Sequence, residues 1–188
     1  MNLAFQSLKN HFLISMPHLN DPNFEHTVVY LCEHNEDGAM GIVVNRPSPI
    51  DFSELAEHLG MTLSSPQLIA EPIYLGGPVE AERGFILHSS DKSWGNTLHV
   101  TDQVSLSASL ETLENIASGN GPESFRIALG CAGWEAGQLE GEIANNDWLV
   151  VEADLDVLFN TPSDLQFNAA TKTLGLDMSF LSPDIGHA

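Results

Sequence analysis

Between Thr27 and Asn45 two almost unbroken apolar runs, TVVYLCEH and AMGIVVN, flank the four residues Asn35-Glu36-Asp37-Gly38. No other stretch restricts the fold as much. Val, Ile and Tyr favour extended backbone, and an Asp-Gly pair supplies the positive φ that tight hairpin loops require. Arms that are apolar on both faces must be covered on both, so the hairpin is expected in the middle of a sheet. A strand over HFLISM, His11 to Met16, precedes it and stops at Pro17, which has no N–H to donate.

Beyond the hairpin, helical and extended patterns alternate. Asp51 is placed to cap a helix, with Glu54 to return the bond and Ile50 to pack on Leu55; Phe52, Leu55, Ala56 and Leu59 form its apolar face and Gly60 ends it. Strands are expected at Ile73 to Leu75, Gly84 to His88 and Thr97 to Val100. A second helix carries Leu106, Leu110, Leu113 and Ala117 and stops at Gly119. The strand FRIALG then runs into a glycine-rich loop, a short helix over Gly137 to Ile143, a strand DWLVVE, and a last helix from Asp164 to Leu174 closed by Gly175. Such mixing predicts an α/β or α+β fold with a mixed sheet covered by helices. A chain of 188 residues, 43% hydrophobic, buries a core without metal or disulfide staples, so residues 1–188 are expected to form a single domain.

Charge excludes one class of partner. Twenty-six acidic residues face six basic ones, a formal net charge of -20 at pH 7, and no Lys or Arg occurs from Ile127 to Thr171. Nucleic-acid binding needs a cationic footprint, so direct binding is not expected. Cys32 and Cys131 make no disulfide framework, which fits a reducing compartment. No apolar run approaches the ~18 residues of a membrane span, and the N-terminus does not read as a signal peptide. A cytoplasmic protein is expected.

The segment GCAGWEAGQLEGEI, Gly130 to Ile143, is the densest in chemistry. Its glycine spacing matches neither the dinucleotide fingerprint nor a phosphate loop, and its glutamates repel phosphate, so no cofactor is expected. Cys131 sits where a strand would end and a helix begin, a position that can lower a thiol pKa, with His88 or His99 as bases if folding brings them close. The plainer reading is a small buried hydrophobe. Glu135 and Glu142 lie seven residues apart, near one helix face, and usually such residues are solvated. His18, His26 and His34 match no zinc spacing, so no metal is expected. Arg46 and Arg83 read as ion-pair partners or as carboxylate contacts at a partner surface. Trp134 reads as a core wedge or as an interface anchor.

Taken in order, PHLNDPNFEHTVVYLCEH, GAMGIVVNRP, YLGGPV, GFILH and AGWEAGQLEGEI followed by DWLVVEADLDVLF resemble the AlgH/YqgE family over nearly the whole chain. Cys131 stands in a slot that is often aromatic in that family, and Glu135-Ala136 replaces a more usual Gly-Pro. The resemblance implies a bifurcated sheet folded as a pseudo-barrel flanked by helices, in a bacterial cytosolic protein with no established activity. It also implies a link to transcriptional regulation, which this acidic chain would exert through a protein partner rather than on DNA. The candidate binding surface combines Asn45, Arg46 and Pro47, Gly76, Gly77 and Pro78, and Gly133, Trp134, Glu135 and Gln138. The alternative is an enzyme with a site around Cys131 and Trp134. A cleft with a histidine beside Cys131 would favour the enzyme, and an apolar patch the binding module.

Overall fold

The computed structural model describes residues 5–174. They form, in order, β1 (His11–Ser15), β2 (Val28–Asn35), β3 (Gly38–Val43), β4 (Pro47–Asp51), α1 (Phe52–His58), α2 (Pro66–Ile69), β5 (Pro72–Leu75), β6 (Val79–Ser89), β7 (Thr97–His99), β8 (Val104–Ser107), α3 (Leu110–Ala117), β9 (Phe125–Glu135), α4 (Gln138–Ala144), β10 (Trp148–Glu152), α5 (Leu155–Asn160) and α6 (Ser163–Lys172). The mixed α/β class expected from the element pattern is the one observed. The chain divides into two compact units, one with the described residues up to Asn45 and from Ala132 onward, the other Arg46–Cys131. It passes between them at Asn45-Arg46 and at Cys131-Ala132, so β9 contributes its first part to the second unit and its last part to the first.

In the first unit the strands run β10, β1, β2, β3 and the end of β9, all antiparallel. The hairpin β2–β3 is central, as its apolar arms require. Its turn is Glu36-Asp37, closed by the Asp37 amide donating to Asn35 Oδ1 at 2.8 Å, and the positive φ falls on Gly38 at 142°. A Cβ on Gly38 would lie 2.3 Å from the Trp134 carbonyl oxygen of the neighbouring strand, which is why glycine stands there. Leu13, Val29, Leu31, Val43, Ala132, Trp134, Leu139 and Trp148 form the core of this unit.

In the second unit the order is β7, β8, β6, β9, β5, β4, with β5 parallel to β9 and every other pair antiparallel. Phe52, Ala56, Ile73, Ile86, Leu113, Ile116, Ala117 and Ile127 form its core beneath α1 and α3. Asp51 caps α1 as expected, accepting from the Glu54 amide at 3.0 Å.

Several sequence expectations are corrected. Leu59, placed on the apolar face of the first helix, is 43% exposed, because the α-helix has ended at His58 and Gly60 turns the chain away at φ 70°. Leu106 belongs to β8 rather than to the second helix, which begins only at Leu110, and Leu110 itself is exposed. The Leu106, Leu110, Leu113 spacing is compatible with a helix, but Ser109 caps α3 and Val104 to Ser107 pair with β6 and β7. The strand expected at Gly84 to His88 is longer, from Val79 to Ser89. The glycine-rich loop is not a loop: β9 runs unbroken from Phe125 through Gly130 and Gly133 to Glu135, and only Ala136-Gly137 turn the chain into α4. Strand β4, with prolines at two of its five positions, pairs with β5 alone, as an edge strand tolerates. The Gly175 stop lies outside the described residues.

Candidate functional site

The second unit brings three sequence motifs together at one place. Pro47 in β4 is paired with Tyr74 in β5, and the Leu75 amide donates to the Arg46 carbonyl at 2.8 Å. The Gly76 amide in turn donates to Leu129 of β9 at 2.7 Å. Gly76, Gly77 and Pro78 then cross over Gly130, whose φ is 78°. A Cβ on Gly76 would come within 2.3 Å of the Gly130 carbonyl oxygen, and one on Gly130 within 2.3 Å of the Gly77 carbonyl oxygen. Neither site has room for a side chain, so the glycines of YLGGPV and of GCAGW are locked backbone to backbone. Arg46, Pro47, Gly76, Gly77 and Pro78 thus share one neighbourhood.

The residues flanking this turn are exposed. Leu75 on its near side is 40% exposed and Val79 on its far side 43%. From Val79 to Arg83 every residue of β6 is exposed. Glu80 takes a positive φ of 47°, and Arg83 pairs with it at 3.2 Å while lying 5.2 Å from the Phe85 ring. The expected ion pair of Arg83 is therefore observed, among half-exposed side chains where such a pair adds little stability.

Cys131 does not stand at a helix start, because its strand continues to Glu135. It is buried, and burial pushes its thiol pKa up, with the Glu80 charge adding to this and Arg83 opposing it. A thiol held in its neutral form is the reverse of an activated nucleophile. His88 is opposite Phe125 on β9, whereas Cys131 is opposite Val79, six residues along the strand. At ~3.3 Å per residue that separation is roughly 20 Å, so no Cys–His pair forms.

His88 has another partner, which the sequence did not announce. Its Nδ1 lies 2.8 Å from the Ser89 carbonyl, which only accepts, so Nδ1 carries the proton and Nε2 receives the Ser107 hydroxyl at 2.8 Å. Ser107 accepts from Thr97 at 2.9 Å, and Thr97 from the Trp94 amide at 2.8 Å. Burial holds the His88 pKa down, in keeping with this neutral ring. Ser107 and His88 have the atoms of a nucleophile and its base, but both are completely buried. The chain of bonds satisfies polar groups between β6, β7 and β8.

A second omission is Arg126, buried in the apolar run FRIAL. Its guanidinium lies 5.1 Å from the Tyr74 ring centre and donates to the Tyr74 hydroxyl. Burial pushes the Glu71 carboxyl pKa up, and the Arg126 charge opposes that rise. A lone Arg inside an apolar strand was the available signal, since such a charge must find a partner.

The remaining candidate residues lie in the first unit. Asn45 is a structural clasp: its Oδ1 accepts from the Val28 amide at 2.9 Å and its amide donates to the His26 carbonyl at 3.1 Å. Gly133, Glu135 and Gln138 are exposed, and Gln138 Oε1 accepts from the Glu135 amide at 3.0 Å. Trp134, considered as an interface anchor, is instead a core wedge: it is 6% exposed and packs with Phe24 and Trp148 at centroid separations of 6.1 Å each. Around this aromatic group AGWEAGQLEGEI and the start of DWLVVE converge, with Leu139, Ile143 and Trp148 packed in the same cluster as Trp134. Burial pushes the Glu142 carboxyl pKa up, while the approach of the Trp148 and Trp134 indoles and of Gln138 opposes it and Asp147 reinforces it. Glu142 Oε2 and Trp148 Nε1 are buried with no hydrogen-bond partner of good geometry. Among the described residues no cluster of His, Cys, Asp or Glu could hold a metal ion.

The AlgH-like family model matches residues 12–179. The chain belongs to the AlgH-like family. A UPF0301 protein of Marinomonas sp. strain MWYL1 is 75% identical over 187 residues, covering all of both chains. A UPF0301 protein of Pseudomonas fluorescens strain Pf0-1 is 47% identical over 188 residues, all of this chain and 99% of that one. The solution structure of AlgH from Pseudomonas aeruginosa matches with a TM-score of 0.80 at 46% identity, covering 100% of both chains. A crystal structure of a protein from Corynebacterium diphtheriae, 18% identical with a TM-score of 0.73 over 97% of this chain and 94% of that one, shares the fold. The motifs that carried the resemblance are thus those of an AlgH-like chain. Among the described residues no helix is long and apolar enough to cross a membrane.

Proposed function

We propose that this AlgH-like protein is a cytosolic binding module that regulates transcription through a protein partner rather than by touching DNA. The observation that carries this reading is the pair Leu75 and Val79, exposed at 40% and 43% on either side of a turn whose backbone is locked against Gly130. Apolar side chains held out by a rigid turn lose little freedom on binding, which is what makes a recognition surface efficient. The net charge of -20 opposes any polyanion and supports a protein partner. Both cysteines are free thiols, in keeping with a reducing compartment.

The test replaces the two apolar residues together, Leu75→Glu with Val79→Glu, and compares capture from native lysate with the parent protein and with Ile69→Glu. Ile69 is 52% exposed on α2 of the same unit and serves as the control for an added surface charge. A partner retained by the parent and by the control, and bound about tenfold or more weakly by the double variant in a purified assay, supports the reading. Capture that is identical for all three proteins overturns it.

A further inference from the structure

Strand β10 closes one end of the sheet in the first unit and is paired on one side, with β1. The direction of its ladder bonds is fixed at both ends. The Met16 amide donates to the Asp147 carbonyl at 2.9 Å, and the Ala153 amide to the Asn10 carbonyl at 3.1 Å. Because antiparallel bonds alternate, Leu149 and Val151 also face β1, while the N–H and C=O groups of Trp148, Val150 and Glu152 face the other way. Among the described residues no strand lies on that side. An outward row of main-chain donors and acceptors is a template for another strand.

Edges are ordinarily blunted by proline, lysine or a bulge, and β4 carries two prolines. WLVVE has none of these, and its five residues keep register with β1 without a shift. Leu149 and Val150, one on each face of the sheet, are only half-buried, so an added strand would cover apolar surface on both faces. At its far end the edge opens into a groove of about 380 Å³ lined by Val151, Glu152, Ala153, Asp154, Thr173 and Leu174. Charge selects the occupant. Asp147 is engaged by His18 at 3.2 Å and Asp154 caps α5, which leaves Glu152 as the exposed carboxylate of the edge. A second copy of the chain would have to be held by five residues against the repulsion of two net charges of -20, so the edge favours a strand that brings Lys or Arg.

We propose that Trp148–Glu152 is a docking edge at which an extended, basic segment of a partner protein adds as a further strand. It is joined through the main-chain groups of Trp148, Val150 and Glu152, with a cationic side chain lying on Glu152. This goes beyond the surface at Leu75 and Val79, which belongs to the other unit, and does not depend on it. Five residues of strand span roughly 17 Å, so the contact is short and at the low end of interface size.

The test titrates the whole protein with three synthetic peptides: Lys-Val-Val-Val-Lys, the same peptide N-methylated at two neighbouring amides so that neither of its edges can pair, and Glu-Val-Val-Val-Glu. Amide hydrogen exchange is read residue by residue along β10. In the free protein the amides of Trp148, Val150 and Glu152 should exchange about tenfold or more faster than those of Leu149 and Val151. The Lys peptide should slow the first set and leave the second unchanged. N-methylation should weaken binding about tenfold or more, and so should Val150→Pro, which removes an outward donor and no bond to β1. Glu152→Lys keeps every main-chain group and should weaken the Lys peptide while strengthening the Glu peptide. Equal protection of both sets of amides in the free protein overturns the proposal, because the edge would then be covered. So does failure of the Lys peptide to protect Trp148, Val150 and Glu152, or equal binding of the N-methylated peptide, which would mean attraction to an acidic surface alone. Concentration-dependent self-association that protects the same three amides also overturns it, since the occupant would be a second copy.

Discussion

At the scale of single residues, the glycines of this chain separate into those that make room for backbone and those that do not. Gly130 combines a φ of 78° with a Cβ position 2.3 Å from the Gly77 carbonyl oxygen, a rigid neighbour that cannot swing aside. Gly130→Ala is expected to cost at least about 2 kcal/mol, since left-handed backbone alone costs an L side chain ~1–2 kcal/mol. For a chain of this size the melting temperature should fall by roughly 4–8 °C. Gly141 is the contrast: it lies inside α4 and a Cβ there meets nothing within 4 Å. Gly141→Ala should therefore stabilise by about 0.5–1 kcal/mol through helix propensity. Thermal melts of both variants check this, and equal effects would mean that the turn over Gly130 is looser than its contacts imply.

At the scale of elements, α4 is tied to the strands around it by side chains as much as by its apolar face. Leu139 enters the core, and Glu140 accepts from His34 Nε2 at 2.5 Å. The other ring nitrogen, Nδ1, receives the Leu8 amide at 2.8 Å, which identifies the His34 tautomer as the one protonated at Nε2. That bond holds the Glu140 carboxyl below the usual carboxylate range. Glu142 behaves oppositely, because burial, reinforced by the Asp147 charge, raises its pKa against the opposing Trp148 and Trp134 indoles. A carboxyl with a raised pKa binds its proton more tightly in the folded state than in the unfolded one. Its contribution to stability is complete below the ordinary carboxylate pKa and is lost as pH rises through the raised value. Glu142→Gln mimics the protonated form, so the variant should gain stability relative to the parent as pH rises from about 4 to 8. Melting curves across that range check it, and a parallel pair of pH profiles would show that Glu142 titrates normally.

At the scale of the whole molecule, charge dominates what the protein can approach. With 26 acidic and 6 basic residues, duplex DNA is expected to be repelled before any contact forms. Mobility-shift assays at physiological salt should show no complex, and a salt-dependent shift at sub-micromolar protein would contradict the regulatory route through a protein partner. The chain passes from one compact unit to the other at Asn45-Arg46, within GAMGIVVNRP, and at Cys131-Ala132, immediately before AGWEAGQLEGEI.

What the sequence determined by itself was whatever depends on a few neighbouring residues. The apolar arms of β2 and β3 and their turn, the Asp51 cap of α1 and the stop at Gly119 all follow from local propensity or capping. Tertiary structure decided whatever depends on which distant backbone lies alongside. Glycines at 130 and 133 look like a loop when read along the chain, yet pairing with β3, β5 and β6 keeps them in one continuous strand. Trp134 became core rather than surface because Phe24 and Trp148, far away in sequence, close around it. Arg46 came to rest beside Gly76 through a strand that its prolines concealed, and His88 found Ser107 rather than Cys131 because strand register, not residue type, assigns partners across a sheet.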